Sequence, residues 1–372
     1  MPKKVAIVHE MLVKLGWAEK VVQEFMKLFP DADIFTLMYD EKKVEKDFPK
    51  EKIHPQVFSL PSQKRYSWTK RQRLSINLMA RSVEQLDLSQ YDLVLCSSSS
   101  FAHGCITKPE TQFIVYYHSP SGYLWHQTNE YKKMIWWDKW LKWFFLNKFF
   151  LQTRIWDYTA SSRVDIPVIA SAIAAKRIKK YYNRDDYHVV YPPVETKRFS
   201  RAAKKYETQD YYITISALTE WKKVDTIIKA FNQMPEQKLK IIWIWDQQKE
   251  LMQLATSQNI EFVWYKSGED LEKIVGESKW WIFSGVEDFG IAAVEVMAAG
   301  KPVFWINQWW ITETSIAGKT WEFYENENDF VEKFKIFHQN NIIWVYSPEN
   351  CQNQAEKFSD ESFGKNILKL IK

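Results

Sequence analysis

One segment, Ser284–Pro302 (SGVEDFGIAAVEVMAAGKP), limits the choice of fold more than any other part of the chain. It follows an apolar run, Trp280–Phe283, that reads as a buried strand of a parallel sheet. The run breaks at Gly285 and resumes as a helix-forming stretch, Ile291–Ala299, which Gly300 and Pro302 close. Glu287 stands in the intervening loop, and Glu295, eight residues on, lies inside the helix. Phe289, Gly290 and Ile291 fall at the helix start, where free N–H groups and the positive end of the dipole favour an anion. One carboxylate beyond a strand end and a second on the next helix suit a ligand rich in hydroxyl groups. Two glutamates at this spacing are common by chance. The joint order of acid, aromatic, Gly, aliphatic, acid, small-residue helix and Gly-x-Pro is not.

The same alternation runs through the chain. Lys4–His9 reads as a strand, followed by a turn at Gly16 and Trp17 and a helix over Glu19–Leu28, an arrangement that can cradle phosphate. Asp33–Met38, Tyr91–Cys96, Gln112–Tyr117 and Asp165–Ala170 read as further strands, and Ile173–Tyr182 as a basic helix. Gln112–Tyr117 delivers His118 to a strand's carboxyl end, where ligands bind in open α/β sheets. A crossing into a second domain is expected at Tyr191-Pro192-Pro193, with Ser200–Asp210 as polar linker. Tyr211–Ser216, Leu239–Ile244, Glu261–Val263 and Pro302–Ile306 then read as strands, Thr226–Met234 and Asp270–Gly276 as helices, and Ser359–Leu370 as a last helix. Lys222 and Lys223 stand just before a helix, where they are either surface charge or phosphate ligands. Two stretches fit either a solvated helix face or a contact with an anionic membrane: the basic 62–81 and the aromatic and basic Met134–Trp156.

These phrases resemble the GT-B glycosyltransferases of family 4, whose signature is E-x7-E within a segment like EDFGI-x-x-VE-x-MA-x-G-x-PV. The likeness extends to YYHSPSGYLW around His118, to YPPV with Arg198-Phe199, and to Gln308–Thr314 against a GG-x-x-E-T phrase. It covers essentially the whole chain. The resemblance implies two Rossmann-like doubly wound domains facing a cleft: 1–190 for the acceptor, 191–355 for the nucleotide sugar, and 356–372 returning as a helix to the first domain. It also implies a retaining, metal-independent transfer of a hexose from a nucleotide sugar. In that reading Glu295 grips the ribose, Glu287 the hexose hydroxyls, and Phe289, Gly290 and Ile291 the sugar and phosphate. Lys222 and Lys223 hold the diphosphate, Asp246 lies near the base, and Gly16 and Trp17 form the phosphate-side turn of the first domain. His118 orients or polarises near the reacting carbon. The subset most alike is the mannosyltransferases of bacterial polysaccharide assembly, so GDP-mannose is the expected donor and a lipid-linked glycan the expected acceptor, with no separate cofactor. A non-catalytic scaffold of the same fold, a nucleotide-sugar epimerase and a sucrose-phosphate-type transferase stand as alternatives.

Composition narrows the setting. A chain of 372 residues suggests two domains. Three cysteines, Cys96, Cys105 and Cys351, with no C-x-x-C argue against a disulfide framework or zinc site and fit a reducing cytoplasm. The start, MPKKVAIVHEM, is too strand-like for a signal peptide, and no run of about 18 apolar residues is present to span a membrane. A net charge of +5 gives no ground to expect a nucleic-acid partner. One feature is abnormal: 19 Trp against 10 Gly. Trp17, Trp245, Trp264, Trp309, Trp310 and Trp321 stand where the resembling family has glycine. The hypothesis is that many of these are glycine in the living protein, through a source organism that decodes UGA as glycine. Their expected positions are turns of positive φ or close backbone approach, the worst places for an indole.

Overall fold

The computed structural model describes residues 4–55, 78–135, 140–219, 222–244, 248–264, 266–285, 289–307, 311–339 and 346–372. Two compact units are present: Met1–Tyr191 together with Gly364–Lys372, and Pro192–Phe363.

The first unit is built on a parallel sheet of β1 (Val5–Leu12), β2 (Asp33–Tyr39), β3 (Ile53–Pro55), β4 (Leu93–Ser98), β5 (Gln112–Tyr117), β6 (Ile166–Ile169) and β7 (His188–Val189). Their spatial order is β3-β2-β1-β4-β5-β6-β7. In β1 and β4 nearly every side chain is buried, with no alternation, as a parallel strand covered on both faces requires. The order reverses between β1 and β4, which pair in register Val8 with Cys96 and His9 with Ser97. Beyond the carboxyl ends of such a pair an open α/β sheet leaves its ligand crevice.

The second unit repeats the plan with β8 (Tyr212–Ala217), β9 (Leu239–Ile244), β10 (Ile260–Trp264), β11 (Trp281–Phe283), β12 (Val303–Ile306) and β13 (Trp321–Tyr324), all parallel. The order β10-β9-β8-β11-β12-β13 puts its reversal between β8 and β11. Aromatic rings fill the core on one side. Tyr212, Phe304, Tyr324 and Phe330 meet Phe334 or one another edge-on, at centroid distances of 4.7–5.6 Å.

Several sequence expectations need correction. Ser200–Asp210 is not a linker throughout, because the helix Thr196–Lys205 occupies its first half. That helix buries only Thr196, Phe199 and Ala202, at intervals of three, beneath a basic face. β1 runs past His9 to Leu12, since the polar pair His9-Glu10 is buried within it. Trp17, Trp264 and Trp321 are not held at positive φ; among the described residues only Asn183 and Lys223 are, besides glycines. Trp17 opens a helix and is half-exposed, Trp264 ends β10 and is exposed, and Trp321 starts β13 and is buried. The basic residues Lys64, Arg65, Lys70, Arg71 and Arg73 lie outside the described residues, as do Trp245, Trp309 and Trp310. Among the described residues no helix is long and apolar enough to cross a membrane. The helix Trp140–Ser161 does expose Leu151, Ile155 and Tyr158 along one side.

Candidate functional site

Each topological reversal collects polar side chains. In the first unit they line a cavity of about 630 Å³ bounded by the ends of β1, β4 and β5 and the start of the helix α1 (Trp17–Leu28). His9, Glu10, Glu19 and His118 face it, with Trp17, Phe101, Tyr123 and Tyr131 as aromatic wall. Local sequence explains the frame. Gly16 is the N-cap of α1, and Glu19, three residues on, turns back to accept the Gly16 N–H at 2.8 Å, a carboxylate closing the helix start. The Gly16 N–H is therefore taken within the turn itself.

Glu10 is heavily ligated. One of its oxygens, Oε1, accepts four successive backbone N–H groups, Ser99 to Ala102, at 2.7–3.1 Å, and the Ser98 hydroxyl at 3.2 Å. Burial alone would raise its pKa, but the neighbouring His9 charge and these N–H donors outweigh burial and hold it below the ordinary carboxylate value. His9 lies between two acids: Nδ1 is 3.8 Å from Glu10 and Nε2 is 3.8 Å from Glu19. Its Nδ1 also donates to the Ser97 carbonyl at 3.0 Å. Burial opposes the charge, yet Glu19, Glu10 and that carbonyl hold the His9 pKa above the ordinary histidine value. Glu19 is depressed in turn, burial again being overcome by His9.

His118, at the end of β5, behaves oppositely. Burial first, and then the charge on His9, push it down to about 4, so it is neutral at pH 7. Its Nε2 lies 2.9 Å from the Ser97 hydroxyl, and its ring meets Tyr116 edge-on at 5.2 Å. A cavity lined by His9, Lys14, two carboxylates, a neutral imidazole and aromatic faces can bind hydroxyl groups.

In the second unit the reversal lies between β8 and β11. Beyond β8 the chain places Lys222, half-buried, and Lys223, exposed, at the start of the helix Val224–Asn232. Lys223 is its N-cap with φ 46°, a left-handed conformation that costs a non-glycine residue about 1–2 kcal/mol. Strain of this kind is kept where surrounding structure over-determines it, often at ligand sites. Beyond β11, Gly285 packs so near this turn that an added Cβ would lie 2.7 Å from Lys222 Cα. Phe289 is buried against Phe358, with ring centroids 5.6 Å apart. Gly290, at φ 73°, caps the helix Ile291–Ala298, and Glu295 is buried within it. So the structure brings Lys222 and Lys223, beyond β8, beside Gly285, beyond β11, and sets Gly290 at the start and Glu295 in the interior of the helix Ile291–Ala298. Glu287 and Asp246 lie outside the described residues.

Sequence reading found His118 and the lysines but passed over His9, Glu10, Glu19 and Ser97. The signal was there: a His-Glu pair inside an otherwise apolar strand must be satisfied internally if it is buried.

Residues 195–358 match a family model described as glycosyl transferases group 1. Among proteins of established function no sequence matches at a significant level. Solved structures of similar fold include HepE of Anabaena in complex with UDP and glucose, at 14% identity, TM-score 0.68 and 98% coverage of each chain. The sucrose-phosphate synthase of Thermosynechococcus elongatus is similar at 13% identity and TM-score 0.73, covering 99% of this chain and 98% of that one. WaaG, a glycosyltransferase involved in lipopolysaccharide biosynthesis, is similar at 12% identity and TM-score 0.64, with 99% of each chain covered.

Proposed function

We propose, from the premise that a chain with a glycosyl transferases group 1 domain on the GT-B fold is a glycosyltransferase, that it moves a hexose from a nucleoside diphosphate sugar to a hydroxyl of a growing glycan. The observation that carries this is the loop of the second unit where Lys222 and the strained Lys223 precede a helix, packed on Gly285. A departing nucleoside diphosphate takes the bonding pair of the sugar C1–O bond and with it negative charge. Lys222, Lys223 and the helix start at Gly290-Ile291 supply positive potential where that charge develops, without calling on a metal ion. Glu295 is assigned to the ribose, Glu287 to the hexose hydroxyls, Phe289 to the sugar, and Asp246 to the neighbourhood of the base. In the first unit His118, neutral and facing the cavity, is assigned to a sugar hydroxyl.

Retention at C1, mannose as the hexose, GDP-mannose as the donor and a lipid-linked acceptor are the finer parts of this reading. Their support is the likeness of the E-x7-E and YYHSPSGYLW phrases to mannosyltransferases of polysaccharide assembly. The exposed Leu151, Ile155 and Tyr158 of the helix Trp140–Ser161 are the surface assigned to an anionic membrane. HepE was solved with UDP and glucose, so UDP-glucose is the rival donor.

Calorimetry with GDP-mannose and with UDP-glucose, in chelator, tests the reading on two versions of the full chain. One is as written, and the other carries Trp17→Gly, Trp245→Gly, Trp309→Gly and Trp310→Gly. Binding of GDP-mannose by either version, with transfer to a glycan primer, is the expected result. If both versions fold and neither binds a donor, the chain is a scaffold that has kept the fold and lost the reaction.

A further inference from the structure

The cavity of the first unit contains a closed circuit of contacts around Ser97 that the reaction scheme above does not use. From the backbone side, the Ser97 carbonyl accepts His9 Nδ1–H at 3.0 Å. From the side-chain side, its hydroxyl lies 2.9 Å from His118 Nε2 and 3.4 Å from the Ala18 carbonyl. Ala18 and Glu19 are consecutive in α1, and Glu19 is the acid 3.8 Å from His9 Nε2. Ser97 is fully buried, and His9 and Glu19 nearly so.

A hydroxyl has one proton, and this fixes how the circuit runs. If Ser97 donates to His118 Nε2, one hydrogen bond is made and the further contact of the hydroxyl with the Ala18 carbonyl, which the helix already supplies with an N–H, is given up. If His118 donates its Nε2–H to Ser97 Oγ, the serine proton turns to Ala18 and two bonds are made in series. Buried polar groups favour the arrangement that satisfies more of them, and donors and acceptors in a chain strengthen one another. In that arrangement His118 Nδ1 carries a lone pair. No group of the described residues bonds it, and His118 lines the cavity.

We infer that Ser97, His9 and Glu19 are positioning residues: together they hold His118 as its neutral Nε2–H tautomer and present Nδ1 to the cavity as an acceptor for a substrate hydroxyl. The proton on His9, favoured by Glu19 on α1 and Glu10 on β1, opposes a second proton on His118, while Tyr116 packs against its ring. The ligand class follows from the chemistry. A bare imidazole nitrogen beside carboxylates and aromatic faces accepts a hydrogen bond from an alcohol, and it repels an anion's oxygen. The assignment of that alcohol to a sugar rests on the proposed function; the circuit itself does not.

The full chain, labelled with nitrogen-15 in its seven histidines, tests this by magnetic resonance, since ring nitrogen shifts report tautomer and titration. Ser97→Ala should release His118 into a mixture of both neutral tautomers, and His9→Gln should raise its pKa above about 4. Glu19→Gln, the mildest change and the safeguard if His9→Gln does not fold, should lower the His9 pKa and, because Glu19 acts on both rings, shift the titration of His118 with it. In transfer assays Ser97→Ala should reduce kcat about tenfold, the worth of about one hydrogen bond, with the donor KM within about twofold. If His118 keeps its parent tautomer and titration in Ser97→Ala and in Glu19→Gln, the inference is overturned. Because the resonance readout needs no donor, it decides the circuit even if no nucleotide sugar turns over, a result that would count against the proposed function instead.

Discussion

Gly285→Ala is the sharpest probe of the second unit. The added Cβ would stand 2.7 Å from Lys222 Cα and 2.8 Å from Phe283 Cζ. Carbon atoms in contact sit at about 3.5–4.0 Å, so one side must yield by about 0.8 Å or more. Phe283 cannot move freely, because it is buried between Trp281 and Trp305, with centroids 5.2 and 4.6 Å away. The lysine turn is what shifts. Overpacking of this size costs about 1–3 kcal/mol of stability. Misplacing one charge-assisted contact to phosphate costs about 1.5–3 kcal/mol, roughly a tenfold to hundredfold loss of donor affinity. Calorimetry with the nucleoside diphosphate alone, beside a thermal melt, reads both. Gly268→Ala is the control: its Cβ meets nothing within 4 Å, so only the left-handed φ of 57° penalises it, and donor binding should be unchanged. If Gly285→Ala binds within twofold of the parent, the Lys222–Lys223 turn does not hold the diphosphate.

Glu10→Ala would leave the buried N–H groups of Phe101 and Ala102, and the more accessible ones of Ser99 and Ser100, without their acceptor, and denaturant melts should show the first unit weakened by about 2 kcal/mol or more. Glu10 and Glu19 have depressed pKa values when folded. Their stabilisation is therefore complete above the ordinary carboxylate range and is lost as pH falls through the folded values; melts across the acid range should show this slope, and Glu10→Gln should flatten it. Lys301 is buried with Thr208 as hydrogen-bond partner, and burial pushes it down to about 8. Lys301→Met should thus raise stability at pH 7 by about 1–4 kcal/mol, an advantage that shrinks as pH rises past the folded pKa. Mass spectrometry of the protein from its native cells should read Gly at 17, 245, 309 and 310, and tryptophan at all four would end the recoding hypothesis.

The parallel strands were legible where a short, mostly apolar run stood between polar flanks: β5 (QFIVYY) and β9 (LKIIWI) have the bounds read from the sequence. The helix Thr196–Lys205 was not, because it hides a narrow apolar stripe under lysine and arginine that read equally as linker. At the sites, single residues at strand ends could be placed from the pattern, as with His118. The circuit through His9, Ser97 and Glu19 could not, since its members come from β1, β4 and α1 and meet only after folding. The tryptophans are a different case. Comparison with glycine-bearing turns led to an expectation of positive φ or of close backbone approach at Trp17, Trp264 and Trp321, and positive φ is found at none of the three. What the buried tryptophans show instead is an indole N–H without a partner at Trp321 and at Trp281, each costing about 1–3 kcal/mol. At 321 glycine would remove that burden, so the recoding hypothesis rests there on hydrogen bonding in place of backbone strain.

The chain leaves the first unit at Tyr191 and re-enters it at Gly364. Gln112 on β5 is bonded by both its amide ends to the returning segment, at the Leu370 carbonyl (2.8 Å) and the Lys372 N–H (3.1 Å), and Gly364 lies against Leu28 of α1. On a ribosome the first unit is therefore made early and finished late. Its sheet can pair as soon as residue 191 emerges, but Gln112 and Leu28 stay uncovered for the whole synthesis of residues 192–363. At about 5–20 residues per second that interval lasts on the order of ten seconds to half a minute. The second unit, continuous in sequence, has no such wait.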